Sequence, residues 1–354
     1  MSNAKQVGAA FAALVSAAVG SPVTLSGEPQ RLSGGFWAQI WDVELTAAPP
    51  PFDRPMVLRV MPDRIAGIRE AVVQRTVADT GFPTPRVLAS GVAPGLGEAY
   101  IVMERIAGRT ILGGLRLGPE LLGLPKLLDR VPKLLAETVS ALHAIDPDIM
   151  GTALAAAGVE SPVSNNPFRS RIDRAVLDCP SAGFAEFVRW LDDHVPSPGP
   201  DVICHGDLHP LNLLIDDHGA TWLLDWTTAA IAPREMDIGL TAGLLRCAPI
   251  AVPKLLRPVT RRITNQLAES FISTVETTAV VDRAAVDWWE ALQYGRCLAE
   301  LAHGRLHGDG VVGPGHPFET SVDAMRRRLL HLTGVTIIPP PRVTAQPRSS
   351  SDRR

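Results

Sequence analysis

Three residues within VICHGDLHPLNLLIDDHGATWLLDW, positions 202–226, have the types and spacing to handle phosphate and a divalent cation. Asp207 is followed five positions later by Asn212, and Asp225 stands eighteen positions beyond Asp207. Residues 213–215 and 222–224 are apolar arms around a turn at Asp216–Gly219, so the chain doubles back as a hairpin. Asn212 and Asp225 are equally distant from the midpoint between the two arms, and pairing sets them side by side, ~5 Å apart at Cα. An amide oxygen and a carboxylate at one end of a hairpin suit a hard cation such as Mg²⁺, an ion usually shared with substrate phosphates. Asp207, on the loop just before, faces the same spot.

The elements that must position these groups are legible on both sides. In Val7–Val19, Phe11, Leu14, Val15, Ala18 and Val19 form the stripe of an amphipathic helix rather than the core of an export signal. Residues 31–45 read as strand interrupted by a double glycine, and 56–61 as a short strand. Residues 65–79 read as a helix stopped by Gly81, and 99–106 as a further strand. Past Gly108 the pattern turns helical: 131–145, 184–194, 260–276, 284–304 and 320–333 all carry helical periodicity. The expected organisation is a small sheet lobe over residues 1–106 and a larger helical lobe over 107–338. A proline- and serine-rich basic tail over 339–354 offers too little apolar surface to offset the cost of ordering it, and is expected to be disordered.

Composition narrows the function classes. With 34 Lys and Arg against 37 Asp and Glu, the net charge of −3 argues against a general nucleic-acid binder. No apolar run approaches the roughly 20 residues that span a bilayer, so no membrane partner is expected. Four cysteines, 179, 204, 247 and 297, lie far apart without a CxxC pair and read as buried thiols of a cytoplasmic protein. His303 and His307 are four apart on a helix, yet no HExxH glutamate lies between them, and they read as paired surface histidines.

HGDLHPLN, residues 205–212, resembles the catalytic-loop motif of the aminoglycoside phosphotransferase family, the small-molecule branch of the protein-kinase-like fold. Gly206 stands where protein kinases have Arg, His209 where they have Lys, and Trp226 follows the metal aspartate in place of Phe-Gly. The resemblance implies an α+β, two-lobed fold with Asp207 as the catalytic residue and Asn212 and Asp225 as Mg²⁺ ligands. It also implies that Arg59, in VLRV, holds the nucleotide's α- and β-phosphates and is paired by Glu70 of the following helix. LSGGF, residues 32–36, resembles the nucleotide-covering loop, with Gly34 and Gly35 letting backbone amides approach phosphate. IVMERIAG, residues 101–108, resembles the hinge, where backbone groups of Glu104 and Ile106 bond the adenine. PREMDIG, residues 233–239, resembles the segment after the metal site, with Asp237 expected to cap a helix. His205 is expected to hold the loop by hydrogen bonds.

The implied function is ATP-dependent phosphoryl transfer to a hydroxyl of a small-molecule acceptor: aminoglycoside-, sugar- or amino-alcohol-like. The competing expectation is a catalytically inactive, kinase-like nucleotide-binding module. Residues 151–200 and 244–310, which should build the acceptor site, hold Asp173, Asp178, Glu186, Asp192, Asp193 and Glu269 among many arginines. They form no acidic pocket in sequence, and oligomeric state is not encoded in these motifs.

Overall fold

The computed structural model describes residues 3–32, 38–111, 124–160, 166–250, 253–308 and 318–341. The first helix, α1 (Ala4–Val19), opens at a capping box in which Asn3 and Gln6 each accept the other's backbone N–H. It buries Val7, Phe11 and Val15. Next come β1 (Thr24–Leu25), β2 (Gln30–Arg31), β3 (Gln39–Val43), β4 (Leu45–Thr46), β5 (Met56–Met61), α2 (Arg64–Asp79), β6 (Val87–Gly91) and β7 (Ala99–Glu104). Five of these strands form an antiparallel sheet in the order β2-β3-β5-β7-β6, while β1 and β4 pair separately.

Strand alternation in β5 decides where the chemistry sits. Met56, Leu58 and Val60 enter one core with Phe11 and Val15 of α1. Arg59 therefore points to the opposite face, where α2 lies. The Asp63 side chain caps α2 by accepting Ala66 N–H. That helix buries Val73 and Val77 in the core of the helical lobe, and so ties the two halves together.

A short strand, β8 (Gly108–Thr110), leaves the sheet and pairs with the hairpin of β10 (Leu213–Asp216) and β11 (Thr221–Leu223). Between them run α3 (Leu124–His143), α4 (Pro147–Ala156), α5 (Asn166–Asp178), α6 (Phe184–Asp193) and β9 (Asp201–Cys204). The chain continues through β12 (Ala230–Pro233), which pairs with β9, then α7 (Glu235–Arg246) and α8 (Arg257–Glu276). The last helices are α9 (Arg283–His307) and α10 (Phe318–Thr333). α9 is the axis of this lobe: Trp288, Leu292 and Leu298 share one core with Phe184 of α6, Leu240 of α7 and Leu329 of α10. Charge is buried alongside it, where Glu290 accepts from Arg246, Arg328 and Tyr294. All four cysteines are buried free thiols.

The boundary drawn for the tail needs correction. Pro339 is buried, Ile338 N–H donates to Ala182 O at 2.9 Å, and Arg305 Nη1 donates to Pro340 O at 3.0 Å. Pro339 and Pro340 are thus packed, with the Pro340 carbonyl held from α9. Positions 342–354 lie outside the described residues. Among the described residues, no helix is long and apolar enough to cross a membrane.

Candidate active site

The loop between β9 and β10 carries Asp207, and its shape rests on Asp237. Asp237 was expected to cap a helix; instead it lies inside the first turn of α7, fully buried, with its carboxylate turned back on the loop. Oδ1 accepts Gly206 N–H at 2.6 Å and Oδ2 accepts His205 N–H at 2.8 Å. Oδ2 also lies 3.1 Å from His143 Nε2; because the carboxylate can only accept, that nitrogen carries the proton. Burial pushes the Asp237 carboxyl up, but these bonds outweigh it and hold its pKa below the ordinary value.

Gly206 occupies the place of the kinase arginine for a steric reason. Its φ is +77°, and a Cβ there would sit 2.4 Å from Thr228 O. His205 holds the loop from within: Nδ1 accepts Asp207 N–H at 3.3 Å, so Nε2 carries the proton and donates to Leu224 O at 3.0 Å. Its edge also packs on Trp226, 5.0 Å between centroids. Burial lowers its pKa, which suits this neutral, structural ring.

Asp207 is held ionised by its neighbours. Burial raises its pKa, but His209, Arg296 and His205 bring it down to about 2. His209 Nε2 lies 3.5 Å from Asp207 Oδ2, and its Nδ1 accepts Leu211 N–H. Burial lowers the His209 pKa, and Asp207 more than offsets this, leaving it raised. The Arg296 guanidinium packs over Phe168 of α5, 4.7 Å from its centroid.

The hairpin register differs from expectation by one residue. Leu213 pairs with Leu223 and Ile215 with Thr221, so Asn212 lies opposite Leu224, whose N–H it accepts at 2.9 Å. The expected pairing would set Asp216 against Thr221; the turn instead closes on Ala220, where Asp216 Oδ1 accepts both His218 and Ala220 N–H. Asp225 stands one position further on and adopts a left-handed φ of +67°, which bends the chain after the hairpin.

Asn212 Nδ2 donates to Asp207 O at 2.9 Å and lies 3.4 Å from Asp207 Oδ2. A carbonyl only accepts, so the amide orientation is fixed and the Asn212 oxygen is the end left for a cation. Asp207 and Asn212 are thus bonded through the loop rather than through strand pairing, and Asp225 lies near enough for the Asp207 charge to act on it.

Arg59 and Glu70 close the site from the sheet side. Arg59 is 6% exposed; Nη1 lies 3.2 Å from Glu70 Oε1 and Nη2 lies 3.3 Å from Asp225 Oδ1. Thr227, which sequence reading missed, sits among them with Oγ1 2.7 Å from Asp225 Oδ1 and 3.0 Å from Glu70 Oε2. One hydroxyl proton serves only one of those acceptors at a time, while Oγ1 accepts from Arg59 Nη2 at 3.3 Å. Two carboxylates thus share one guanidinium. Asp225, with a side chain 33% exposed, keeps its charge and a lowered pKa, whereas burial pushes wholly enclosed Glu70 up to about 7. Arg59 Nε is buried without a hydrogen-bond partner among the described residues.

Of the remaining candidates, Glu104 ends β7 and its side chain accepts Arg86 N–H at 3.0 Å. Ile106 follows in the connection to β8, half-buried, and its N–H donates no hydrogen bond among the described residues. Gly34 and Gly35 lie outside the described residues. Arg296 was missed as well; its only signal in sequence is a charge on the inward face of a long apolar helix.

A five-stranded antiparallel sheet with one crossing helix, set on a helical lobe that carries an Asp–Asn loop and a hairpin aspartate, defines the protein-kinase-like class. Solved structures agree. A proposed aminoglycoside phosphotransferase from Ralstonia eutropha matches with a TM-score of 0.59 at 16% identity, over 88% of this chain and 93% of its own. A thermostable mutant of aminoglycoside phosphotransferase APH(4)-Ia, solved with AMP-PNP and hygromycin B, gives 0.57 at 18% identity, over 92% and 98%. Plasmodium vivax ethanolamine kinase gives 0.53 at 13%, over 87% and 83%. In sequence, 53 residues are 47% identical to the uncharacterized protein YcbJ of Bacillus subtilis (strain 168), covering 15% of this chain and 17% of that protein. The model of the phosphotransferase enzyme family matches residues 29–261, and the chain belongs to that family.

Proposed function

We propose that the protein transfers the γ-phosphate of ATP to a hydroxyl of a small molecule, with Asp207 as the catalytic residue. The observation that carries this reading is the convergence of two bonded pairs, Asn212 on Asp207 and Arg59 on Asp225, with the Asp207 and Asp225 carboxylates near enough for each charge to act on the other. With a pKa near 2, Asp207 stays ionised and is a weak base. Its part is to accept the acceptor's O–H hydrogen bond and orient the oxygen, taking the proton late, as phosphoryl transfer requires little covalent help.

The Asn212 oxygen and the Asp225 carboxylate fit a hard cation, and these two residues would hold Mg²⁺. Bound there, Mg²⁺ supplies charge neutralisation for the nucleotide phosphates. Arg59, oriented by Glu70 and Thr227, offers its buried guanidinium to the same phosphates, and its unpartnered Nε fits that role. The Ile106 N–H, which donates to nothing among the described residues, and the Glu104 carbonyl suit an adenine edge. That a relative of the same fold was solved with AMP-PNP and hygromycin B supports a nucleotide and a hydroxylated acceptor here.

On the acceptor side, three acids that could draw a polycation are occupied. Asp173 and Asp192 pair with Arg169, and Glu269 with Arg246 and Arg283. Arg296 stands beside Asp207, so the acceptor class this surface favours is neutral or acidic rather than polycationic. The test is ATP consumption against a panel of sugars, amino sugars, amino alcohols and hydroxy acids. Asp207→Ala should lower turnover by about 10²–10⁴ without unfolding the chain. Mg²⁺-dependent nucleotide binding with no phosphorylated product from any acceptor would instead favour a non-catalytic module.

A further inference from the structure

His303 and His307 lie one turn apart on α9, their rings 4.5 Å between centroids. The fold brings Asp178, the last residue of α5, against both. Its Oδ2 lies 3.9 Å from His303 Nδ1 and 3.7 Å from His307 Nε2, and the three ligand atoms lie within 4.8 Å of one another. Tetrahedral zinc with bonds of about 2.0–2.1 Å separates its ligand atoms by about 3.3 Å, so modest side-chain rotation closes the set. Two imidazoles and one carboxylate select the zinc class of ions over Mg²⁺ or Ca²⁺, which take oxygen ligands.

We propose that Asp178, His303 and His307 bind one divalent transition-metal ion of the zinc class, joining α5 to α9. Asp178 and His303 also line a cavity of about 620 Å³ with Arg171, Cys179 and Glu300. Three protein ligands leave a fourth tetrahedral position, open to water or to a small ligand entering from that cavity. The present partner of Asp178 is Arg174, at 3.2 Å, but the Arg174 side chain is 67% exposed. An ion pair so open to water is weak, and a metal ion displaces it. This site is independent of the phosphotransfer reading.

The test uses the full chain, freed of metal with a chelator and titrated with Co²⁺, whose tetrahedral complexes absorb in the visible. One equivalent should bind with that spectrum and be displaced by Zn²⁺. His303→Ala, His307→Ala and Asp178→Asn should each weaken binding at least tenfold, while Asp225→Asn, which removes the other cation ligand, should leave the spectrum intact. Arg174→Ala should tighten binding by releasing Asp178. Zn²⁺ should raise the Tm of the wild type but not of His307→Ala, because an ion bound only to the native state stabilises it. His307 is 43% exposed, so its removal leaves the core untouched. No tetrahedral cobalt spectrum, or equal affinity in wild type and His307→Ala, would overturn the assignment.

Discussion

Asp237 offers a test of the site that needs no knowledge of the acceptor. Its buried carboxylate accepts Gly206 N–H at 2.6 Å, His205 N–H at 2.8 Å and the His143 Nε2 proton at 3.1 Å. Each buried donor left unpaired costs about 1–3 kcal/mol, so Asp237→Ala should lose about 3–5 kcal/mol. That is a large part of a stability of about 5–15 kcal/mol, and Asp237→Asn is the better probe because it keeps the volume. Its single oxygen can satisfy only one of the two oxygens' roles, while the amide N–H₂ faces a second donor. A loss of about 2–3 kcal/mol is expected. Urea unfolding measures it, and amide hydrogen exchange at residues 205 and 206 should speed up in the variant.

The pH dependence has a definite sign. The folded pKa of Asp237 is held below its ordinary 3.8, so its contribution is full above that value and is lost as pH falls through the folded pKa. The gap between wild type and Asp237→Asn should therefore be constant near neutrality and shrink below about pH 4. Equal urea midpoints at pH 7, with unchanged exchange at Gly206, would refute the claim that this carboxylate holds the loop.

Arg59→Ala should cut kcat/KM for ATP at least tenfold, about 1.4 kcal/mol, and should also destabilise the fold by stranding Glu70. Adding Glu70→Gln should recover stability in urea but not turnover, separating the two effects. Gly206→Ala places a Cβ 2.4 Å from Thr228 O at a φ of +77° and should cost at least about 2 kcal/mol by denaturation. Truncation after Pro341 should leave Tm unchanged, whereas truncation after Ile338 removes buried Pro339 and the Arg305 acceptor on Pro340, and should lower it.

Local pattern alone located β5, α2, α6 and the long helices α8–α10 to within a few residues, because each has a regular apolar period and an identifiable end. The HGDLHPLN motif with its later aspartate likewise named Asp207, Asn212 and Asp225, since their order and spacing are written in the chain. Helix α7 escaped that reading because it is buried almost all round and shows no stripe to detect. The hairpin register turned on one carboxylate, Asp216, whose bond from Ala220 N–H closes a tighter turn than the expected pairing, a choice that composition does not display. Asp237 acts across 31 residues on Gly206, Thr227 stands between Glu70 and Asp225, and Asp178 reaches His307 from another helix. Contacts of that kind join positions remote in sequence. They exist only once burial of the shared cores has fixed how α5, α7 and α9 lie against the sheet and loop, so only the tertiary structure could decide them.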